Sequence, residues 1–190
     1  LEALIQQANK GKELVVRNLS WAADEIDLQP RPANFADSEQ HLTAMRADVV
    51  LAAFGYNESF AGKEGLPAFR ARLTKYLGDV KAKAYNGKVA ARVVLISPIA
   101  NENVKGVAAA DRNNVNIKAY MEAMKEVATE QKVGFVDAFT ATKKAMASPG
   151  NDLTMNGAHL NEKGYQLFAS TVFNQLFGKG APRLDEKVRE

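Results

Sequence analysis

Two short segments of the sequence carry side chains suited to proton transfer and to binding a developing negative charge. His159 closes the segment Asn156-Gly157-Ala158-His159, and an imidazole in such a loop can act as a general base. Asn57 follows Gly55 after an apolar run, and its side-chain amide can donate a hydrogen bond to an oxyanion. Singly, such residues are more often turn, cap or packing residues. Their chemistry therefore depends on a fold that brings both segments together.

Four apolar runs and four helical patterns predict that fold. The runs cover residues 14–19, 48–54, 92–99 and 133–139, and the helical patterns cover residues 39–46, 66–84, 113–131 and 160–177. Strands that alternate with helices predict a parallel sheet, with helices on both faces. Asn57 follows the second run and His159 follows the last one. Because sites in such sheets form at the carboxyl ends of the strands, we expect both side chains to line one cleft.

Composition limits the classes of function. The chain has 190 residues with a net charge of +3, and its basic residues form no run that could follow a phosphate backbone. We therefore expect no nucleic-acid partner. The chain has no cysteine, and it contains neither a signal-peptide pattern nor an apolar run of membrane-spanning length. One domain over residues 1–177 is predicted, followed by a charged tail or linker over residues 178–190.

The two segments, in this order, resemble the SGNH (GDSL-like) hydrolases. Gly55-Tyr56-Asn57-Glu58 is similar to the block that supplies the oxyanion-hole asparagine of that family. Asn156 and His159 match the acid and the base of its Asp-x-x-His block. The segment from Asn18 to Asp24 occupies the place of the block that contributes a backbone N–H, here that of Ala23. The resemblance implies a three-layer α/β/α, flavodoxin-like fold, and a site that needs no metal or organic cofactor.

The sequence departs from the family pattern at three places. No Gly-Asp-Ser block precedes Leu1, so we expect the first strand and the nucleophilic serine to lie upstream. Ala23 stands where glycine is usual, which keeps the N–H but disfavours a positive φ. Asn156 stands where aspartate is usual, and an amide can orient the imidazole without stabilising its charged form. The fold then predicts that the missing strand separates the run at 14–19 from the run at 48–54.

Other residues could complete the cleft. Ser20 and Ser97 are the alternative nucleophiles nearest the carboxyl edge, with Ser59 a weaker one, although each is more typical of an ordinary hydrogen-bonding serine. Trp21 and Tyr56 could form flat apolar walls for a sugar or an acyl group. The polar segment Asn101-Glu102-Asn103 follows the third run and is expected to line the same cleft, whereas His41 is interpreted as a surface residue.

The resemblance implies a serine ester hydrolase that acts on small acyl esters, with an acylated carbohydrate as one candidate substrate. The alternative is a catalytically silent module of the same fold that binds a glycan or a partner domain. A flavodoxin-like nucleotide or flavin binder is a third reading, but no phosphate-binding loop follows the runs. The chain is also similar to SGNH-type domains attached to larger exported bacterial proteins, which implies a periplasmic or secreted location and a covalent partner domain.

Overall fold

The computed structural model describes residues 1–148 and 150–182, which form an α/β fold. The elements are α1 (Glu2–Ala8), α2 (Ser38–Ala44), β1 (Val49–Ala53), α3 (Leu66–Lys81), β2 (Arg92–Ile96), α4 (Ala110–Gln131), β3 (Gly134–Val136), α5 (Ala138–Met146) and α6 (Glu162–Phe177). Of the predicted charged tail, residues 183–190 lie outside the described residues. No helix of the described part is long and apolar enough to cross a membrane.

The three strands form one parallel sheet in the order β1-β2-β3. Leu51 of β1 is aligned with Val94 of β2, and Ile96 of β2 is aligned with Val136 of β3. The runs predicted at 48–54, 92–99 and 133–139 therefore each contain a strand. The last of these strands is shorter than predicted because Asp137 accepts a hydrogen bond from the backbone N–H of Thr140 at 2.8 Å. This N-cap starts α5, a helix that the apolar run concealed.

The run at residues 14–19 does not form a strand, so that prediction was wrong. These residues have no regular structure, and Leu14 and Val15 are 38% and 73% exposed. A strand is stable only when a neighbouring strand satisfies its backbone groups and one of its faces is buried. Neither condition holds here, so an apolar, β-branched run remains an exposed loop. The predicted pair of strands flanking a gap is therefore reduced to one strand, β1.

Helices cover both faces of the sheet, as the three-layer prediction requires. On one face, Val93 and Leu95 pack against residues of α3 and α4, including Leu73 and Met124, which are fully buried. On the other face, Val136 packs with Leu1, which precedes α1, and with residues of α6. The two hydrophobic clusters fix the sheet between helical layers, and the loops that leave its carboxyl edge are free to build a site.

The sheet has two edge strands, β1 and β3, and each of them pairs only with β2 among the described residues. β1 pairs only with β2, and its side chains alternate between exposed and buried. Val50 is 8% exposed, whereas Val49 and Leu51, which point to the opposite face, are 42% and 36% exposed. The free edge of β1 leaves room for one more strand, and its exposed face has no helix over it among the described residues.

Two valines of β1 test this one-sided packing. We expect Val50→Ala to lower the free energy of unfolding by about 1–3 kcal/mol, because it removes buried methyl groups and leaves a cavity. The matched change Val49→Ala should stay within about 0.5 kcal/mol, since its side chain lies on the uncovered face. Urea denaturation of both variants measures the two values. Equal losses would show that both faces of β1 are covered.

Candidate active site

The loop after β1 is built around a glycine in a left-handed conformation. Gly55 has φ +98°, and a Cβ placed on it would lie 3.1 Å from the Met124 sulfur. The backbone N–H of Gly55 donates a hydrogen bond to the Glu58 carboxylate at 2.8 Å. This contact curls the chain into a short 3-10 helix over Glu58–Ala61, with Asn57 at its start. The turn is what aims Asn57 away from the sheet.

The Glu58 carboxylate joins this loop to a second one. Its other oxygen accepts the backbone N–H of Ile26 at 3.1 Å, and burial raises the pKa of the carboxyl group. The Asn57 amide donates a long hydrogen bond, 3.4 Å, to the carbonyl oxygen of Asp24. The Asn57 amide therefore lies beside the segment that contains Ala23. The Asn57 side chain and the Ala23 backbone N–H are the two donors predicted for the oxyanion.

Ala23 adopts the positive φ that alanine was expected to avoid. Its φ is +64°, in the left-handed region. Beside it, Arg31 donates two hydrogen bonds, of 2.7 and 2.6 Å, to the Asp24 carboxylate. The Arg31 guanidinium also lies 4.9 Å from the centre of the Trp21 ring. An alanine in this left-handed conformation is strained, whereas a glycine would adopt it without steric cost.

His159 lies at the end of a small hairpin-like loop and is exposed. The Asn156 side-chain oxygen accepts the backbone N–H of His159 at 2.9 Å and lies 3.1 Å from its Nδ1. Because an amide oxygen only accepts hydrogen bonds, Nδ1 carries the proton in this contact, and Nε2 of the neutral ring keeps its lone pair. The loop closes through a hydrogen bond from Met155 N to His159 O at 2.8 Å. Asn156 thus contacts the ring at Nδ1.

A buried carboxylate that sequence analysis did not assign holds this loop. Glu102 accepts hydrogen bonds from the backbone N–H groups of Leu153 and Thr154 and, at 2.6 Å, from the Thr154 hydroxyl. The backbone N–H of Glu102 also donates to Gly157 O at 2.9 Å. The only signal in the sequence was the polar segment Asn101-Glu102-Asn103, which indicated a cleft lining but not this partner.

The two loops meet through one side chain. Asn101 accepts a hydrogen bond from the Tyr56 hydroxyl at 2.9 Å and donates one to the Gly157 carbonyl oxygen at 2.7 Å. Tyr56 is adjacent to Asn57, and Gly157 lies between Asn156 and His159 in sequence. The loops that carry the predicted base and the predicted oxyanion donor therefore lie on the same, carboxyl edge of the sheet.

The alternative serines have other roles. The Ser97 hydroxyl is buried, accepts the backbone N–H groups of Ala138 and Phe139 at 2.9 and 3.0 Å, and so caps α5. Ser59 is also buried, and its hydroxyl donates to Tyr56 O at 2.6 Å. Ser20 is exposed. Within residues 1–148 and 150–182, no hydrogen bond joins a serine to His159.

The family model of GDSL-like lipases and acylhydrolases matches residues 1–167. The chain belongs to this family. Its fold is similar to that of an acetyl-xylooligosaccharide esterase variant from Geobacillus stearothermophilus, with a TM-score of 0.59 and 18% identity over 76% of this chain and 66% of that one. The wild-type acetylxylan esterase from the same organism gives a TM-score of 0.58 at 18% identity, over 76% and 66% of the two chains.

A lipase/acylhydrolase from Enterococcus faecalis is also similar, with a TM-score of 0.51 and 20% identity over 75% of this chain and 67% of that one. This chain spans 66% of the length of the first esterase. No curated protein sequence matches it. At these identities the likeness shows the shared α/β fold. In the described part of this GDSL-like chain, no group of three or more His, Asp or Glu residues is arranged to hold a metal ion.

Strain at Ala23 can be measured against its neighbour Ala22, which has no positive φ. Both glycine variants make the unfolded chain more flexible to the same degree, but only Ala23→Gly relieves a left-handed alanine. We expect Ala23→Gly to be about 1–2 kcal/mol more stable than Ala22→Gly. Thermal and urea denaturation of both variants give this difference. Equal stabilities would show that Ala23 is unstrained in solution.

Gly157 tests how tightly the His159 loop is held. Gly157 and Gly106 have similar φ values, +89° and +86°, but a Cβ on Gly157 would lie 2.7 Å from Glu102 O, whereas nothing lies within 4 Å of one on Gly106. We expect Gly157→Ala to cost about 1–3 kcal/mol more than Gly106→Ala, because the clash adds to a shared backbone strain. Denaturation curves measure the difference. Equal costs would mean that the loop moves freely away from Glu102.

Proposed function

We propose that this chain supplies the base and the oxyanion donors of a serine ester hydrolase that acts on small acyl esters. The observation that carries the proposal is the His159–Asn156 pair, whose loop is joined to the Asn57 loop at the carboxyl edge of the sheet. The family match supports an acyl-transfer site. A base and neutral hydrogen-bond donors on one edge are what attack on an ester carbonyl requires.

Each residue then has a defined role. His159 Nε2 takes the proton of a serine hydroxyl as the oxygen attacks the ester carbon, and returns it to the leaving alcohol. The Asn57 amide and the Ala23 N–H donate hydrogen bonds to the oxyanion, and Gly55 provides the turn that presents Asn57. Asn156 holds the imidazole through an amide instead of a carboxylate, so the imidazolium gains less electrostatic stabilisation and we expect slower turnover than with an aspartate.

The nucleophile needs a place in this arrangement, and β1 provides one. The sequence holds no Gly-Asp-Ser block, and the free edge of β1 lies next to the loop that carries Asn57. A strand that pairs in parallel along this edge would end at the same carboxyl edge as Gly55. We therefore assign the serine to the end of such a strand, ahead of Leu1.

An acetylated carbohydrate is the substrate class that we propose. The structural neighbours include esterases named for acetylxylan and acetyl-xylooligosaccharide. In this chain, Trp21 and Phe35 are both 46% exposed, pack edge to face with centroids 5.5 Å apart, and lie on the Ala23 side of the site. Exposed aromatic rings offer apolar faces to a sugar ring. A periplasmic or secreted location and a covalent partner domain remain predictions.

A specific observation also favours a second function, a silent module of the same fold that binds a glycan. Asn156 replaces the carboxylate, and the hydroxyls of Ser97 and Ser59 are used in other contacts. A site without a nucleophile can bind an acyl sugar through the same donors without cleaving it. The two functions differ in one measurable respect, which is turnover by a form that carries the serine strand.

Ester hydrolysis separates these functions. We expect Leu1–Glu190 alone to show no turnover of short-chain aryl esters or of acetylated xylo-oligosaccharide, because a base and an oxyanion hole cannot form an acyl-enzyme. A longer form with a Gly-Asp-Ser strand ahead of Leu1 should turn over both substrates. His159→Ala in that form should reduce kcat by about a thousandfold or more, because base and nucleophile act as one unit.

His41→Ala is the control for kcat, because His41 is the other histidine of the chain and its ring packs against Phe35 in the proposed binding wall, away from the proton transfer. It should leave kcat unchanged. Turnover by Leu1–Glu190 that depends on His159 would overturn the assignment of the serine to an added strand. A folded longer form that is inert, but whose melting temperature rises with acetylated xylo-oligosaccharide, would establish the binding module.

A further inference from the structure

The described residues contain one amide that contacts both sides of the proposed cleft. Asn101 is 8% exposed, and its Oδ1 accepts the Tyr56 hydroxyl while its Nδ2 donates to Gly157 O. Tyr56 belongs to the loop that presents Asn57, and Gly157 belongs to the loop that presents His159. About a hundred residues separate these two loops in the chain, so tertiary contacts of this kind must set their relative position.

Asn101 is itself held rigidly by α4. Its backbone N–H donates to the Asn114 side chain at 2.8 Å, and its carbonyl oxygen accepts from the same amide at 2.9 Å. The Asn113 amide donates to Asn101 Oδ1 at 3.2 Å. Two donors therefore face Oδ1 and one acceptor faces Nδ2, so the amide has only one orientation that satisfies all its partners. α4, which packs on the core, is the element that anchors it.

We infer that Asn101 is a positioning residue, which fixes the His159 loop relative to the Asn57 loop through the Tyr56 hydroxyl and the Gly157 carbonyl. The inference rests on the proposed function only for what the two loops do, since the linkage itself is a property of this chain. A base and an oxyanion donor act on the same carbonyl group, and a shift of about 1 Å between such groups can reduce a rate by about a hundredfold. The Asn101 side-chain amide, which is hydrogen-bonded to both loops, limits the shift between the His159 loop and the Asn57 loop.

The chain offers a variant for each arm of the link. Tyr56→Phe removes the hydroxyl and breaks only the arm to the Asn57 loop. Asn101→Asp keeps an acceptor for Tyr56 but places a second oxygen against Gly157 O, which breaks the other arm by repulsion. Asn113→Ala is the matched control, because it removes the second hydrogen bond of Asn101 Oδ1 and leaves both arms in place.

The experiment is NMR spectroscopy of Leu1–Glu190, which needs no turnover. We expect Tyr56→Phe to shift the ring resonances of His159 and to speed amide exchange at Gly157 and His159 by about five- to tenfold, although Tyr56 contacts neither residue. His41, the other histidine of the chain, should keep its resonances. Buried α3 amides report global stability, so exchange there should change less than exchange in the His159 loop.

The double variant decides whether Asn101 carries the effect. In an Asn101→Asp background, Tyr56→Phe should cause no further change at His159, and Asn113→Ala should cause little change in any background. If Tyr56→Phe leaves the His159 loop unchanged, or if the two effects simply add, the inference is wrong. If Asn101→Asp unfolds the chain, the single variant Tyr56→Phe still decides. If the coupling is observed but the longer form with the serine strand shows no turnover, the proposed hydrolysis is wrong and the inference about Asn101 stands.

Discussion

All three strands run parallel, so the chain leaves each of them at the same edge, and the site depends on this constraint. The loop after β1 presents Asn57 there, and the loop after β2 brings Asn101 and Glu102 to the same place. His159 follows no strand directly, but hydrogen bonds to Asn101 and Glu102 hold its loop against the β2 loop. The sheet thus gathers at one edge residues that are far apart in sequence.

Two buried carboxylates hold the loops at this edge, in addition to the Arg31–Asp24 ion pair beside Ala23. Glu58 binds two backbone N–H groups from different loops, and Glu102 binds two consecutive N–H groups and a hydroxyl in the His159 loop. The backbone N–H groups of these loops have no partner in a helix or a strand, and the two carboxylates accept their hydrogen bonds instead. Burial of both carboxylates keeps water from competing for these contacts. The donors of the site can therefore be neutral amides on loops that are nevertheless fixed.

The sequence predicted the features that depend on local pattern. The runs at 48–54 and 92–99 contain strands because their apolar residues are buried in the sheet, and Asn57 and His159 stood out through short motifs. The run at 14–19 was misread, because a strand also needs a neighbour, and an apolar pattern carries no information about one. The roles of Glu58 and Glu102 could not be predicted, since their partners lie 32 and 51 residues away in the chain.

We propose that β1 and the His159 loop are shaped to receive a serine at the carboxyl edge. A crystal structure of a form with a Gly-Asp-Ser strand ahead of Leu1 tests this most directly. We expect the added strand to pair in parallel along the free edge of β1, with the serine Oγ about 2.6–3.2 Å from His159 Nε2. A strand that pairs elsewhere, or a serine on the opposite edge of the sheet from His159, would contradict it.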